Sequence, residues 1–173
     1  MTSSRKEWET RQLPHDHLVT TIHAPSGKRW LERLDALYTG IARIIHDIDT
    51  LTRTHYDPDT YRHACRVAER FDTGSLLWVG AMCHDLIEDT PVTYDDLLIF
   101  ETRDGLHSLL SIIDHVTRRQ GETYATYILR CKNNPDAVRI KLADLTDHFD
   151  QAATLTPSLK KRYMKAWDTL TRD

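Results

Sequence analysis

Thirteen residues, Ser75-Leu-Leu-Trp-Val-Gly-Ala-Met-Cys-His-Asp-Leu-Ile87, are almost wholly apolar until an imidazole and a carboxylate appear near their end. Such a run must be covered on all sides. It exceeds the usual strand length of about 5–6 residues and is rich in Ala, Met and Leu, so it predicts a central helix surrounded by others rather than a buried strand. The acidic continuation, His84-Asp85-Leu86-Ile87-Glu88-Asp89-Thr90, would then carry three carboxylates at a helix C-terminus. The helix dipole disfavours negative charge at that end unless a cation compensates. A local rule broken in this way points to a functional site.

The rest of the chain predicts helices packed around that run. Leu31, Leu34, Leu37, Ile41, Ile44, Ile45, Ile48 and Leu51 recur every three or four residues, which predicts a long helix over about 29–53 burying that stripe. Asp57-Pro58 provides an N-cap and first helical residue for a second helix carrying Tyr61, Ala64, Val67, Ala68 and Phe71. Thr93 with Asp96 forms a capping box for a short helix through Phe100. Asp104-Gly105 marks a turn before Leu106–Val116, Tyr124–Arg130 forms another helix stopped near Asn133-Asn134-Pro135, and Val138–Leu145 forms the one that presents Asp144. Thr156-Pro157 caps a last helix with Leu159, Tyr163, Ala166, Trp167 and Leu170. The expected fold class is all-α, a compact helical bundle in a single domain over 29–173. Residues 1–28 form an N-terminal arm, with a short extended piece at His17–His23 and a turn at Ala24–Gly27.

Composition narrows the function classes. At 173 residues the chain suits one domain with a core of its own. Its 23 Lys and Arg against 26 Asp and Glu leave a formal charge of −3, so no excess positive field favours nucleic acid or anionic membrane. Cys65, Cys83 and Cys131 are odd in number and lack CxxC spacing, which argues against a disulfide scaffold or a structural zinc site and for buried thiols in a reducing compartment. No apolar run nears the roughly 20 residues needed to cross a bilayer, and no signal peptide opens the chain, so a cytoplasmic location is expected.

The chemistry-bearing residues are His63, His84, Asp85 and Asp144, a mixed N/O set suited to Mn, Fe, Zn or another transition ion. Such an ion polarises a phosphate oxygen and acidifies a water. Glu88 follows His84 by four residues and Asp89 follows Asp85 by four, so each pair shares a face if the helix persists. One of Glu88 and Asp89 would then orient or deprotonate the nucleophile and the other would protonate the leaving oxygen.

His63, His84-Asp85 and Asp144 resemble the H…HD…D signature of the HD phosphohydrolase superfamily over roughly residues 35–170, and His63-Ala-Cys-Arg-Val-Ala68 matches its HxxxVA helix. More narrowly, HDLIEDT resembles the HDxxEDT of RelA/SpoT-type hydrolase domains and small alarmone hydrolases. Asp114-His-Val-Thr-Arg118 is similar to their DGVTK, and Ile140-Lys-Leu-Ala-Asp144 to their IKLAD. The resemblance implies a helical fold, manganese held by the histidines and aspartates, and removal of 3′-pyrophosphate from (p)ppGpp with Glu88 and Asp89 acting on the water. It departs at His55-Tyr-Asp-Pro-Asp59, where the family carries Arg-Lys-Ser-Gly, and at His148, where it carries a nucleotide-contacting Asn. An adenine analogue or another nucleotide is therefore open.

Candidate substrate contacts are Arg53, Tyr56, Arg118, Lys141 and His148: cations for phosphate, an aromatic face for a base, and His148 one turn beyond Asp144. The expected partner is a small phosphorylated nucleotide, with no nucleic acid and no membrane, and a homo-oligomer remains open. Two other functions compete. A deoxynucleotide 5′-phosphatase or dNTP triphosphohydrolase is favoured by the faint likeness of Ser26-Gly-Lys-Arg-Trp30 to the opening of some small HD nucleotidases. A non-catalytic nucleotide-sensing module would keep the site without turnover.

Overall fold

The computed structural model describes residues 28–172 except 152 and 154. The extended piece and turn expected before residue 28 lie outside the described residues. The chain divides into two packing units, 1–38 and 39–173. Of the first, only the opening turns of a helix are described, and Leu34 and Leu37 are exposed there. Periodicity marks a helical face, whereas burial needs a partner surface. Among the stripe residues whose burial is described, Ile44 and Ile48 are the buried ones.

All described elements are helices, as the periodicities require: α1 Lys28–His55, α2 Pro58–Ala68, α3 Leu76–Met82, α4 Leu86–Asp89, α5 Tyr94–Thr102, α6 Leu109–Val116, α7 Tyr124–Cys131, α8 Pro135–Asp150 and α9 Pro157–Thr171. The starts follow their caps. Asp57 accepts from the Asp59 and Thr60 N–H groups, Asn134 from Asp136 and Ala137, and Thr156 from Leu159, with Pro at the first helical position in each case. The Thr93–Asp96 capping box is formed. None of the described helices is long and apolar enough to cross a membrane.

In the unit 39–173, α8 packs against α2, α3, α6, α7 and α9, and α3 packs against α2, α6 and α8. Gly80 sets the closeness of that packing. A Cβ there would lie 2.7 Å from Ile140 Cδ1, so the missing side chain leaves the space that Ile140 of α8 fills. Val79, Met82, Leu86, Ile112, Ile113, Ile140 and Leu145 form the centre of the core. Cys83 and Cys131 are buried free thiols, and Cys65 is a half-buried one. Burial pushes Cys83 up to about 12, so it is a core residue and no nucleophile.

One expectation needs correction. The apolar run is not a single helix that ends in acids. The helix stops at Met82, residues 83–85 form a turn, and a new four-residue helix begins at Leu86. Cys83 (φ −101°, ψ 3°) and Asp85 (φ −100°, ψ 0°) sit in the sparsely used bridge region, and the Leu86 N–H donates to the Cys83 carbonyl at 3.0 Å. The acids therefore do not burden the C-terminus of α3. Glu88 and Asp89 lie within the single turn of α4, and the break is what turns His84 and Asp85 toward α2 and α8.

Candidate metal centre

Three elements deliver the candidate ligand atoms. α2 presents His63, the turn after α3 presents His84 and Asp85, and α8 presents Asp144. His63 Nε2 lies 3.3 Å from His84 Nε2 and 3.1 Å from Asp144 Oδ1. His84 Nε2 is 3.2 Å from Asp85 Oδ2 and 3.8 Å from Asp144 Oδ1, and His63 Nε2 is 4.0 Å from Asp85 Oδ2. Ligand atoms bonded to one transition ion at about 2.0–2.2 Å lie roughly 3 Å apart, and His63, His84 and Asp85 form one candidate ligand group of that compactness, with Asp144 beside it through its approach to His63. Asp144 Oδ1 is also 3.2 Å from His148 Nε2, and His63, Asp144 and His148 form a second ligand group that shares His63.

The outer hydrogen bonds test the fit. His84 Nδ1 lies 2.7 Å from the Ala81 carbonyl, to which it can only donate, and that leaves Nε2 as the ring nitrogen facing the cluster. His63 Nδ1 lies 2.7 Å from Asp147 Oδ2, which turns its Nε2 inward in the same way. Arg66 in turn grips Asp147 through Nε and Nη2 at 2.7 and 2.9 Å. The Ala81 carbonyl and the Asp147 carboxylate, holding the two imidazoles by their Nδ1 atoms with both Nε2 atoms turned inward, are the kind of outer shell that a histidine-bound metal has.

The charges agree. Burial alone would lower His84, yet Asp85 and Asp144 beside it push it up to about 9, and Asp144 and Asp147 likewise raise His63 against burial. Burial alone would raise Asp144, but Lys141, His148 and His63 hold it well below the ordinary carboxylate range. A field that draws protons onto two buried imidazoles is one that draws a divalent cation.

The two acidic neighbours take different surroundings. Glu88 is exposed and its Oε2 accepts the Arg118 backbone N–H at 3.0 Å. Asp89 reaches solvent, but partial desolvation and the charges of Asp85 and Glu88 raise it above the ordinary carboxylate range. Asp89 thus holds a proton more readily than an ordinary aspartate. Glu88, Tyr94 and Arg118 line a cavity of about 620 Å³.

The remaining expected residues fall in several places. Lys141 is half-buried, with Nζ 2.6 Å from Asp144 Oδ2, so its charge is spent on a candidate ligand rather than aimed at solvent. His148 is sandwiched between the rings of His63 and Tyr163, with centroids 4.9 Å away on each side. Arg53 is exposed, bound to Asp49 at 2.8 Å and lying over the Tyr61 ring at 4.4 Å. Tyr56 is only 7% exposed and its hydroxyl donates to the Met82 carbonyl at 3.2 Å, so its ring is core rather than an open face for a base. Arg118 is exposed, with its Nε donating to the Glu122 carbonyl at 2.9 Å.

Asp147 and Arg66 escaped the sequence analysis. Asp147 stands three residues after Asp144, a second acid on a helix face that otherwise buries Ile140, Ala143 and Leu145, and that placement was the available signal.

No family model matches the chain. Among characterised proteins it is similar to the bifunctional (p)ppGpp synthase/hydrolase SpoT of Escherichia coli K12, 30% identical over 141 residues, which is 76% of this chain and 20% of SpoT. Proteins named guanosine-3′,5′-bis(diphosphate) 3′-pyrophosphohydrolase from Escherichia coli O157:H7 and Shigella flexneri match to the same extent. The alignment spans about one fifth of the length of these relatives. This distant homology, the all-helical fold and the His–Asp clusters together point to the HD superfamily, without singling out a subfamily.

Proposed function

We propose that this protein is an HD-type, metal-dependent nucleotide phosphohydrolase, and that its reaction is removal of 3′-pyrophosphate from (p)ppGpp or a related alarmone. The convergence of His63, His84, Asp85 and Asp144, with both Nε2 atoms oriented inward by Ala81 and Asp147, is the observation that carries this reading. The mixed N/O donors suit a first-row transition ion, and manganese is the proposed one. When bound, such an ion supplies positive charge that polarises a phosphoryl oxygen and acidifies a water.

The protein's own groups divide the remaining work. Glu88, restrained by the Arg118 N–H, orients the attacking water and accepts its proton. Asp89, with its raised affinity for a proton, donates to the leaving oxygen. Lys141 keeps Asp144 anionic. The cavity beside Glu88, with the Arg118 guanidinium on its wall, has the volume and charge for part of a small phosphorylated nucleotide. His148 stands where the resemblance places a nucleotide-contacting Asn, and its ring is held between His63 and Tyr163 with Nε2 on Asp144.

The test is incubation of the Mn-loaded protein with ppGpp, ppApp and the common dNTPs, with products identified by mass. Pyrophosphate release from ppGpp or ppApp is expected, lost on chelation and reduced at least a hundredfold in Glu88→Ala and Asp89→Ala, in the range of about 10²–10⁴ for general acid–base groups. Release of triphosphate or of 5′-phosphate from dNTPs would move the chain to the nucleotidase reading. Metal and nucleotide binding without turnover would make it a sensor.

A further inference from the structure

We propose that Arg130 and Glu122 are positioning residues for Glu88, acting through the loop between α6 and α7. The inference rests on the reading of Glu88 as a water-orienting group. Glu88 stands exposed on a helix of four residues, too short to hold a long side chain, and the restraint it receives is the Arg118 backbone N–H at 3.0 Å. That N–H belongs to the irregular segment 117–123, so its position depends on whatever fixes the loop.

One guanidinium fixes it at both ends. Arg130 on α7 donates from Nε to Glu122 Oε1 at 2.9 Å and from Nη2 to Glu122 Oε2 at 2.7 Å, a two-pronged grip. Nη2 also donates to the Thr117 carbonyl at 2.7 Å, and Nη1 donates to the Asp114 carbonyl. Glu122 passes the restraint inward. Its Oε2 accepts the Arg119 N–H at 3.0 Å, and its carbonyl accepts Arg118 Nε at 2.9 Å. Gly121, at φ +77°, makes the tight turn that closes the loop onto itself. Both partners are largely buried, with side chains 15% and 10% exposed, so the pair is screened less than a surface ion pair. The path is then Arg130, Glu122, the 118–119 backbone, and Glu88.

Loss of the fork should misplace Glu88 without touching the metal ligands. Arg130→Lys keeps charge and stem but cannot make the fork, and Glu122→Gln keeps shape while removing the charge. With Mn-loaded protein and ppGpp as the probe, each is expected to lower kcat about tenfold to a hundredfold, the scale of an ångström-sized misplacement, with KM and Mn affinity within twofold of wild type. In a Glu88→Ala background the same substitutions should cost nothing further, and additive losses would overturn the proposal. Amide exchange of Arg118 supplies a readout independent of turnover. Its protection should fall in Arg130→Lys while the α8 amides are unchanged, and retained protection would overturn the relay. Failure of the parent reading looks different: the wild type then hydrolyses nothing in the nucleotide panel, while the exchange result still decides the relay.

Discussion

Asp147 and His63 are joined by a 2.7 Å hydrogen bond from Nδ1 to Oδ2, and that bond turns His63 Nε2 to within 3.1 Å of Asp144. The imidazole is thereby held in one orientation by a residue that is not among the proposed ligands. Arg66, gripping the same carboxylate, anchors the pair to α2.

Asp147→Ala should weaken metal binding about tenfold to a hundredfold, the usual cost of removing a histidine-orienting carboxylate. The fold should survive, since Arg66 is 40% exposed and can turn to solvent. Titration calorimetry with Mn, alongside far-UV circular dichroism, measures both. Unchanged Mn affinity would show that His63 needs no such partner.

Asp144 does two jobs that a double variant separates. Asp144→Ala leaves the half-buried Lys141 ammonium without its counter-charge, and breaking a pair whose carboxylate is buried costs up to about 3–5 kcal/mol. Adding Lys141→Met removes the orphaned charge and should restore most of the stability, while Mn binding stays lost in both. Urea midpoints and calorimetry read the two effects, and a double variant no more stable than Asp144→Ala would refute the pairing argument.

Glu122 predicts an acid limb of stability. The Arg130 guanidinium lowers its carboxyl from an ordinary 4.5 to about 2. A carboxyl depressed in the folded state contributes fully above its unfolded value and loses that contribution as pH falls through the folded one. The stability advantage of wild type over Glu122→Gln should therefore be full at pH 6, decline below about 4.5 and be nearly gone near 2. Urea unfolding across that range checks the sign; a gap that stays constant would assign the advantage to something other than this charge.

Metal binding and folding should be linked. An ion that binds the native site and not the unfolded chain stabilises by about 2.7 kcal/mol at a hundred times its dissociation constant. Addition of Mn should raise the thermal midpoint, EDTA should reverse the rise, and Asp85→Ala should abolish it. An equal shift in Asp85→Ala would place the ion elsewhere.

Caps and periodicities read directly from the chain: Asp57-Pro58, Thr93 with Asp96 and Thr156-Pro157 each begin a helix where local chemistry says they should. These signals act within four residues of one another, so no tertiary information is needed to see them. The break at 83–85 was not legible in the same way, because the apolar run continues through it in composition while the backbone changes course. Tyr56 shows the same limit from the other side. An aromatic beside a proposed site looks available in sequence, and only burial against Met82 reveals it as core.

By itself the sequence determined an all-helical chain and the residue types of a metal cradle, since helix period, caps and ligand chemistry are properties of neighbours along the backbone. The tertiary structure alone decided that His63 and His84 face each other at 3.3 Å, that Asp147 rather than a nearer residue orients His63, and that Lys141 serves Asp144 instead of solvent. Those relationships join residues from different helices, or depend on which face of α8 is buried. They are set by how α2, α3 and α8 pack, which no local pattern encodes.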